Sequence, residues 1–527
     1  MSRRPRTDQA FDAVVIGAGL AGASAAALLA RAGHRVLVLE RDVHAGGCAA
    51  SYEEDGYRFA VGATVGMGLE PGGLVRSVLD RVGRAPSVLD VDPAIRVLVE
   101  DRVIDLHRDR GAWRAALADA FPTQARTTGR FWDEIERMAR AMRRAAGRFP
   151  VLPLRHGYDL LDSARAAHPN LIPVVANLGR SVADRLDAFG VDDPHVRAFI
   201  DGQLLDAMQC RADTCVAPNG ALALDVYRWG AQYVYGGLSR LADELLDVVR
   251  ERGGSVRFGT AARAIERDER GVRGVSTRTG LARARVVISA LPLRNTVTLL
   301  GDDATPRLRQ RDERQPLMWG AFTLYAGVAE GALRTPSRPY QQVTDLAVSR
   351  PDHDHDAPPA NLLVSVSPAE DASRAPAGHR AVTVSTHVDA ERWLALAAEP
   401  ARYEAAKRAL EGRLLEQVER VLPGFGDGLS YLRSGTPRTF VRYTRRAGGT
   451  VGGFPQSVEH ANFNAPSHRT DVPGLFLAGD TVFPGQGALG ATSSGLIAAR
   501  SADRRLRSTT VPARGRHRSV ETQEVAA

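Results

Sequence analysis

The sequence predicts an α/β fold whose parallel sheet is built from separated stretches of the chain, together with a discontinuous α+β domain. Three observations support this prediction. A strand, a glycine turn and a helix follow one another near the N-terminus, a second glycine-rich motif lies near the C-terminus, and strand and helix patterns alternate between them. Because the two end motifs suit the same kind of domain, we expect both ends of the chain to fold together.

The N-terminal motif predicts a Rossmann-like dinucleotide-binding unit. The apolar run 14–16 leads into Gly17-x-Gly19-x-x-Gly22, and an alanine-rich helix follows. In this pattern Gly17 permits a tight turn, Gly19 lets a pyrophosphate approach the backbone, and Gly22 lets the helix pack closely on the strand. The helix N-terminus then provides N–H groups and a favourable dipole for the phosphates.

A second predicted strand, residues 35–39, ends at Glu40, 18 residues after Gly22. A carboxylate at this point accepts hydrogen bonds from a ribose and repels a ribose phosphate. The alternative interpretation, a glycine-rich structural turn, does not account for the strand, turn, helix, strand and acid occurring in register. A bound dinucleotide is therefore the prediction.

Between the end motifs, a mainly helical stretch precedes about residue 234, and alternating strands such as 362–367 and 381–388 follow about residue 315. Residues 130–149 form an amphipathic pattern with apolar side chains on one face and arginines on the other. Two interpretations are open: a helix packed in the core, or a helix on a membrane surface. The segment PDHDHD (351–356) resembles a metal cluster, but its Pro-rich and Ser-rich surroundings predict a solvated loop.

Composition indicates a large intracellular enzyme of two or three domains. The chain has 527 residues, is 44% hydrophobic and carries a net charge of +8, with Lys407 as its single lysine. It shows neither a long apolar run nor a secretory signal. Cys48, Cys210 and Cys215 are too few and too oddly placed for a disulfide framework. Cys210 and Cys215 lack further metal ligands nearby, so these two are expected to be buried thiols, and no metal is expected. No basic run is interleaved with aromatics, which argues against nucleic-acid binding.

The residues after Glu40 resemble those of the amine-oxidase-like flavoprotein superfamily. Arg41, Gly46 and Gly47 match its path under the FAD pyrophosphate, and LFLAGD (475–480) matches its closing FAD motif. The resemblance implies non-covalent FAD bound by Gly17, Gly19, Gly22, Glu40, Arg41, Gly46, Gly47, Ala262, Gly479, Asp480, Gly487 and Ala488. The second glycine pattern, Gly485-x-Gly487-x-x-Gly490, is interpreted as a turn that starts a helix aimed at the electron-rich end of the flavin ring.

This resemblance also implies a division of the chain. The Rossmann-like FAD-binding domain comprises residues 10–105, 235–310 and 465–507, and the substrate and membrane-facing domain comprises residues 106–234 and 311–464. Residues 508–527 are polar and charged, which predicts a disordered tail.

Three longer segments are similar to the phytoene desaturase and carotenoid isomerase family. They are residues 46–73, 434–457 and 478–495; GLEPGG (68–73) and FIDGQLL (199–205) most resemble the carotenoid 3,4-desaturases. The chain departs from relatives at Ala60, where many carry aspartate, and at Cys48, where broader relatives often carry arginine.

The resemblance implies an FAD-dependent desaturase that removes a hydride and a proton from a long apolar polyene. It implies Arg442, Tyr443, Phe483 and Gln486 as flavin-side or tunnel residues, and no acid/base motif is evident. A carotenoid isomerase is the main alternative, followed by an amine oxidase and a non-catalytic carrier. We expect a cytoplasmic protein bound peripherally to the inner face of the cell membrane; the oligomeric state, the exact substrate and the terminal electron acceptor stay open.

Overall fold

The computed structural model describes residues 10–316, 318–349 and 360–510; the PDHDHD segment and residues 511–527 lie outside them. The strands are β1 (Phe11–Ile16), β2 (Val36–Leu39), β3 (Ser51–Glu54), β4 (Tyr57–Ala60), β5 (Gly66–Met67), β6 (Val88–Val91), β7 (Arg96–Val99), β8 (Arg102–Asp105), β9 (Ala231–Val234), β10 (Ser255–Arg257), β11 (Ala264–Asp268), β12 (Gly271–Thr277), β13 (Gly280–Ser289), β14 (Gly320–Ala329), β15 (Tyr340–Thr344), β16 (Asn361–Val366), β17 (His379–Val388), β18 (Leu429–Gly435) and β19 (Leu475–Leu477).

The α-helices of the same residues are α1 (Leu20–Arg31), α2 (Leu74–Val82), α3 (Arg110–Ala120), α4 (Ala125–Ala146), α5 (Gly157–Ala164), α6 (Ile172–Ala176), α7 (Val182–Phe189), α8 (Pro194–Met208), α9 (Ala217–Asp225), α10 (Ser239–Glu251), α11 (Leu293–Leu300), α12 (Pro306–Glu313), α13 (Ala390–Leu396), α14 (Pro400–Val421), α15 (Pro437–Thr444) and α16 (Gly487–Thr510).

The first sheet is the predicted α/β element. Its parallel part has the order β10–β2–β1–β13–β19, and β11 and β12 add an antiparallel meander to the beginning of β13. Val14 pairs with Leu37 on one side and with Val287 on the other, and all three are fully buried. Such continuous apolar strands form a parallel sheet because helices cover both faces.

Helices α1, α10 and α16 pack on one face of this sheet, and α11 and α12 pack on the other. The contact between α1 and α16 is close because a Cβ at Gly495 would lie 2.3 Å from the carbonyl oxygen of Ala21. The N-terminal and C-terminal motifs therefore meet in one layer, as expected for two halves of one nucleotide-binding unit.

The second sheet has the order β18–β14–β17–β16–β15–β7–β8. On β14, Phe322 and Leu324 point to a core shared with α14, whereas Thr323 and Tyr325 point to a cavity on the opposite face. This period-two alternation follows from strand geometry. It gives the sheet one structural face and one face available to a ligand.

Helices α3 to α9 form a helical lobe beside the second sheet. Four apolar side chains of α4 are at most 1% exposed: Phe131, Trp132, Ile135 and Met138. They pack in one apolar cluster with residues of α3, α7 and α8. Of the two interpretations of residues 130–149, core packing is confirmed, and the membrane-surface interpretation is wrong for this helix. Cys210 and Cys215 are also buried in the lobe, as predicted.

Helix α5 has an unusual distribution of side chains, because its carboxylates are buried and its leucines are exposed. Asp159 forms an ion pair of 2.8 Å with Arg469, and Asp162 forms one of 2.7 Å with Arg504 of α16. Leu160 and Leu161, in contrast, are 57% and 58% exposed. The ion pairs fix α5 to the rest of the protein with its apolar side facing outward.

Two boundaries differ from the predicted division. Residues 96–105, assigned from the sequence to the nucleotide-binding domain, form β7 and β8 of the second sheet, where β7 pairs in parallel with β15. Helix α16 continues to Thr510, three residues into the predicted tail. Both differences reflect tertiary contacts, since strand partners and the packing of a terminal helix are not encoded in local composition.

Candidate functional site

A cavity of about 2000 Å³ lies between the two sheets and the helical lobe. A pocket for one small ligand typically measures about 300–1000 Å³. This cavity therefore has room for a dinucleotide and a second ligand, and the predicted nucleotide-binding residues lie along one side of it.

The first glycine turn has the geometry that the sequence predicts. Gly17 has a φ of +97°, and a Cβ at Gly22 would lie 2.0 Å from the carbonyl oxygen of Gly17. Helix α1 begins after Gly19 without a side-chain cap, and Gly19, Leu20 and Ala21 line the cavity. The uncapped N–H groups are therefore available to an anion such as pyrophosphate.

Glu40 lies at the end of β2, at the mouth of this turn. Its carboxylate accepts hydrogen bonds of 2.8 Å from the backbone N–H groups of Ala18 and Asp42. These bonds use part of the accepting capacity of the two oxygens and hold them in place. Both Glu40 and Arg41 line the cavity, so the carboxylate is positioned to accept a ribose hydroxyl.

Gly46 and Gly47 lie directly beside the first turn. Gly46 forms an isolated bridge with Gly19, and a Cβ at Gly47 would be 3.4 Å from the Cα of Gly19. Ala262 lines the same part of the cavity, two residues after Thr260, whose N–H donates to the carbonyl of Glu40. The three segments therefore lie together along one side of the cavity, where Gly19, Gly46 and Gly47 present backbone rather than side chains.

Asp480, which is partly exposed, forms an ion pair with the buried Arg446, with Nη1 and Oδ2 3.0 Å apart. Burial alone would lower the pKa of Arg446, but the Asp480 carboxylate outweighs it and raises this pKa. The same guanidinium lies 3.8 Å from the Sγ of Cys48, whose pKa is raised by burial. Arg446 therefore brings a guanidinium beside Cys48 from a different part of the chain.

Helix α16 begins at Gly487, as predicted, and Gly479, Gly487 and Ala488 line the cavity. A Cβ at Gly490 would lie 2.2 Å from the carbonyl oxygen of Gly485, which repeats the contact between Gly22 and Gly17. The second glycine turn thus directs another helix N-terminus into the cavity, where it favours negative charge on a bound ring.

The four residues proposed for the flavin side fall into two places. Phe483 and Gln486 line the cavity at the start of α16, and the side-chain amide of Gln486 donates to the carbonyl of Asp206 over 3.4 Å. Tyr443 is 59% exposed at the rim, where its carbonyl accepts from Arg41, and the Arg442 guanidinium lies over the Tyr443 ring. The second pair is therefore next to the nucleotide end.

Beyond the nucleotide end, the cavity contains a small polar cluster in a mainly apolar wall. Asp206 at the end of α8, Gln209 just after it, and His387 on β17 line this part. Sequence reasoning missed these residues and Arg446. Asp206 directly follows FIDGQLL (199–205), and Arg446 directly precedes AGGT (447–450). Neither motif identifies the partner of its residue, because only the fold brings the partners together.

Comparison with known proteins decides the kind of dinucleotide. A family model described as flavin containing amine oxidoreductase matches residues 20–502. The chain belongs to this family. It is an FAD-dependent oxidoreductase. Glu40, Asp480 and the two helix N-termini line the cavity, and they stay the predicted FAD ligands. Bound FAD supplies a two-electron acceptor that no protein side chain provides.

Several curated proteins are similar to this flavoprotein. The chloroplastic prolycopene isomerase of Arabidopsis thaliana is 25% identical over 507 residues, which cover 94% of this chain and 83% of the relative. The all-trans-retinol 13,14-reductase of Danio rerio is 24% identical over 90% of this chain and 83% of its own length. The phytoene dehydrogenase of Streptomyces griseus is 30% identical over 50% of this chain and 51% of its own.

Solved structures share the fold. An oxidoreductase from Methanosarcina mazei has a TM-score of 0.61 at 19% identity, covering 92% of this chain and 99% of that one. Putrescine oxidase bound to putrescine has a TM-score of 0.61 at 16% identity, covering 94% and 99%. At these identities the likeness establishes the amine-oxidase-like α/β architecture alone.

Replacing Glu40 with Ala removes the carboxylate next to the first turn, so we expect FAD binding to weaken by about 1–3 kcal/mol. The dissociation constant of FAD from the apoprotein, measured by flavin fluorescence, would rise about 5- to 150-fold. Glu416→Ala, which removes an exposed carboxylate of α14, is the control and should leave the constant unchanged. An unchanged constant for Glu40→Ala would exclude this residue as a ribose ligand.

Replacing Arg446 with Ala leaves the partly buried Asp480 carboxylate without its partner, which should lower the free energy of unfolding by about 1–3 kcal/mol. The double variant Arg446→Ala/Asp480→Asn should recover part of that loss because it removes the unpaired charge. Urea unfolding of the FAD-free protein measures both. Arg445→Asn, at an exposed neighbour with a φ of +56° that asparagine tolerates, is the control. Equal stability of Arg446→Ala and the control would contradict a stabilising ion pair.

Proposed function

We propose that this flavoprotein desaturates a long apolar polyene of the carotenoid class. One carbon of a carbon–carbon single bond would give a hydride to bound FAD, the neighbouring carbon would lose a proton, and the bond between them would become a double bond. The names of its relatives support a polyene substrate, since they include prolycopene isomerases, a phytoene dehydrogenase and retinol reductases.

The observation that carries this proposal is the apolar wall of the cavity beyond the flavin site. The helical lobe contributes Leu171, Val174 and Leu178 from α6 and the residues around it, and Leu222 and Val226 from α9 and the residue after it. Transfer of an extended hydrocarbon from water to such walls is favourable, and its binding needs no charged group of the protein. The wall supports a chain-like apolar ligand better than a small charged amine.

The residues of the chain then have three tasks. The helical lobe and the cavity-facing side of the second sheet hold the substrate and exclude water. The start of α16 directs a helix N-terminus into the cavity, where it would favour the negative charge of a reduced flavin. Conjugation in the substrate spreads positive charge along the polyene, so a weak base is sufficient to remove the proton.

Carotenoid isomerisation is a second candidate, because the similarity to prolycopene isomerases extends over 93–94% of the chain. An isomerase leaves the electron count of its substrate unchanged, whereas a desaturase reduces its flavin in each cycle and then needs an acceptor. The amine-oxidase alternative has weaker support, because the relatives matched over most of the chain include prolycopene isomerases, whereas the amine oxidases match in fold alone. Lys407, a partly exposed residue of α14, does line the cavity.

Anaerobic mixing of oxidised holoenzyme with a lycopene-like or 1-hydroxylated polyene distinguishes the two reactions. We expect the flavin absorbance to bleach and the product to lose two hydrogen atoms and gain one conjugated double bond. If the oxidised enzyme is inert and the pre-reduced enzyme converts cis polyene to trans without a change in mass, the chain is an isomerase. Absorbance and mass spectra of the extracted pigments provide both measurements.

We also propose that the protein docks peripherally on the inner face of the cell membrane. No described helix combines the length and apolarity needed to cross a bilayer. An apolar patch on and around α5 and α6 is more than one-third exposed and comprises Leu154, Tyr158, Leu160, Leu161, Ile172 and Val175. Val175 also lines the cavity. The patch therefore adjoins a mouth through which a lipid-soluble substrate can enter.

The patch replaces α4 as the proposed membrane contact, and the exposed Arg155, Arg165 and Arg180 near it suit anionic lipid. Leu160→Asp/Ile172→Asp should reduce pelleting with phosphatidylglycerol vesicles about tenfold, because two apolar side chains no longer enter the lipid. Wild-type pelleting should also weaken in salt. Val103→Asp, at an exposed apolar residue of β8, is the control. Equal pelleting of all three proteins would contradict docking through this patch.

A further inference from the structure

We propose that Asp206 is the catalytic base of this flavoprotein and takes the proton that the polyene loses, with Gln342 and Asn361 as positioning residues. This inference rests on the proposed desaturation. The argument uses the position of Asp206 in the cavity, the groups that hold its carboxylate, and its surroundings of neutral side chains.

Asp206 lies at the flavin end of the apolar cavity. Its carbonyl accepts a hydrogen bond from the side chain of Gln486, the residue before α16. Gln209, three residues after Asp206, packs closely on Gly452: a Cβ at Gly452 would lie 2.4 Å from the Cδ of Gln209. A Cβ at the next residue, Gly453, would lie 2.1 Å from the carbonyl oxygen of Asp480. Contacts therefore connect Asp206 to both C-terminal elements of the FAD site.

Two buried amides hold the Asp206 carboxylate. Gln342 of β15 donates to Oδ2 over 2.7 Å, and Asn361 of β16 donates to Oδ1 over 3.1 Å. Each amide is held in turn, since Gln203 donates to Gln342 and Thr344 donates to Asn361. The side chain of Asp206 is still 23% accessible, and it lines the cavity. The carboxylate is thus fixed from the protein side and open on the ligand side.

His387 of β17 is the nearest titratable neighbour, with its Nδ1 3.6 Å from Oδ1 of Asp206. Its Nε2 is 3.1 Å from the side-chain nitrogen of Gln209, and its ring meets the edge of Trp319. Nδ1 of His387 and Oε1 of Gln209 are buried without a hydrogen-bond partner. The polar cluster therefore has unused hydrogen-bonding capacity close to the Asp206 carboxylate.

The protonation states suit a weak base. Burial raises the pKa of Asp206 to about 7, against the lowering effect of the two amide donors, and burial lowers the pKa of His387 to about 4. Tyr227 also faces Asp206, and burial raises its pKa, so it stays neutral. Arg228 next to it is directed to the Trp113 ring, 4.1 Å away. The carboxylate of Asp201, earlier on α8, accepts hydrogen bonds from the Ser349 hydroxyl and from the N–H of Ala212.

The proposed step balances in atoms and electrons. One C–H bond of the substrate gives its hydrogen and electron pair to the flavin as hydride. The adjacent carbon loses a proton to a carboxylate oxygen of Asp206, and the electrons of that C–H bond form the new double bond. The protonated carboxyl then returns its proton to water after the product leaves. Because the base must be ionised, desaturation should increase with pH through the pKa of Asp206.

The first test compares Asp206→Asn with Asp201→Asn, its matched control on the same helix. We expect Asp206→Asn to lower the rate of flavin reduction by about 10²- to 10⁴-fold and to abolish the rise of that rate around pH ~7. FAD content and polyene binding, measured by quenching of tryptophan fluorescence, should be unchanged. Asp201→Asn should keep the wild-type pH profile.

A second measurement does not depend on turnover. The infrared difference spectrum of the holoenzyme between pH ~6 and pH ~8 should contain the band of a protonated carboxyl, as expected for a group that titrates in this range. The band should disappear in Asp206→Asn and remain in Asp201→Asn. A band that persists unchanged in Asp206→Asn would overturn the assignment of the titrating group.

Gln342→Leu tests positioning, since loss of a donor that lowers the pKa of Asp206 should move the midpoint of the pH–rate profile upward. Gln341→Leu, at the adjacent buried residue whose amide nitrogen has no partner, is the control and should not move the midpoint.

If wild-type enzyme dehydrogenates the polyene and Asp206→Asn does so at the same rate, the base assignment fails and the proposed function stands. If wild-type enzyme binds polyenes but dehydrogenates none, the proposed function itself fails.

Discussion

Two close contacts between glycine backbones determine where the cofactor cavity forms. In each glycine turn, the carbonyl oxygen of the first glycine occupies the place of the Cβ of the last, Gly17 against Gly22 and Gly485 against Gly490. Only glycine fits these positions, so α1 and α16 both begin at the cavity wall. Close packing at Gly495 holds the helices side by side, and their uncompensated N–H groups attract negative charge at two points of one ligand.

Contacts between residues of the same motif could be predicted from the sequence, whereas contacts between distant elements could not. The turn at Gly17, the acid at Glu40 and the start of α16 depend on neighbouring residues, and the structure confirms their geometry. The pairing of Arg446 with Asp480 depends on how the segment after α15 meets the end of β19. The approach of His387 to Asp206 depends on how β17 meets the end of α8. No local pattern marks these partners, which is why the polar part of the site was missed.

Amphipathic patterns show the same limit. An apolar stripe indicates that one face of a helix avoids water, but it does not identify what covers that face. The apolar face of α4 packs in the core of the helical lobe, so it is not available to a membrane. On α5 the carboxylates of Asp159 and Asp162 are covered by Arg469 and Arg504, and the leucines are left outside. Only these long-range ion pairs reveal which side of α5 faces outward.

The alternation along β14 and β17 has a consequence for how such a protein can diversify. Val384 of β17 and Leu324 of β14 face α14 and maintain the core, whereas Ser385 and Thr323 face the cavity. A substitution on the cavity face changes the shape offered to a ligand without opening a void behind the sheet. Selection for a new ligand can therefore act on every second residue of these strands while the intervening residues continue to satisfy the demands of folding.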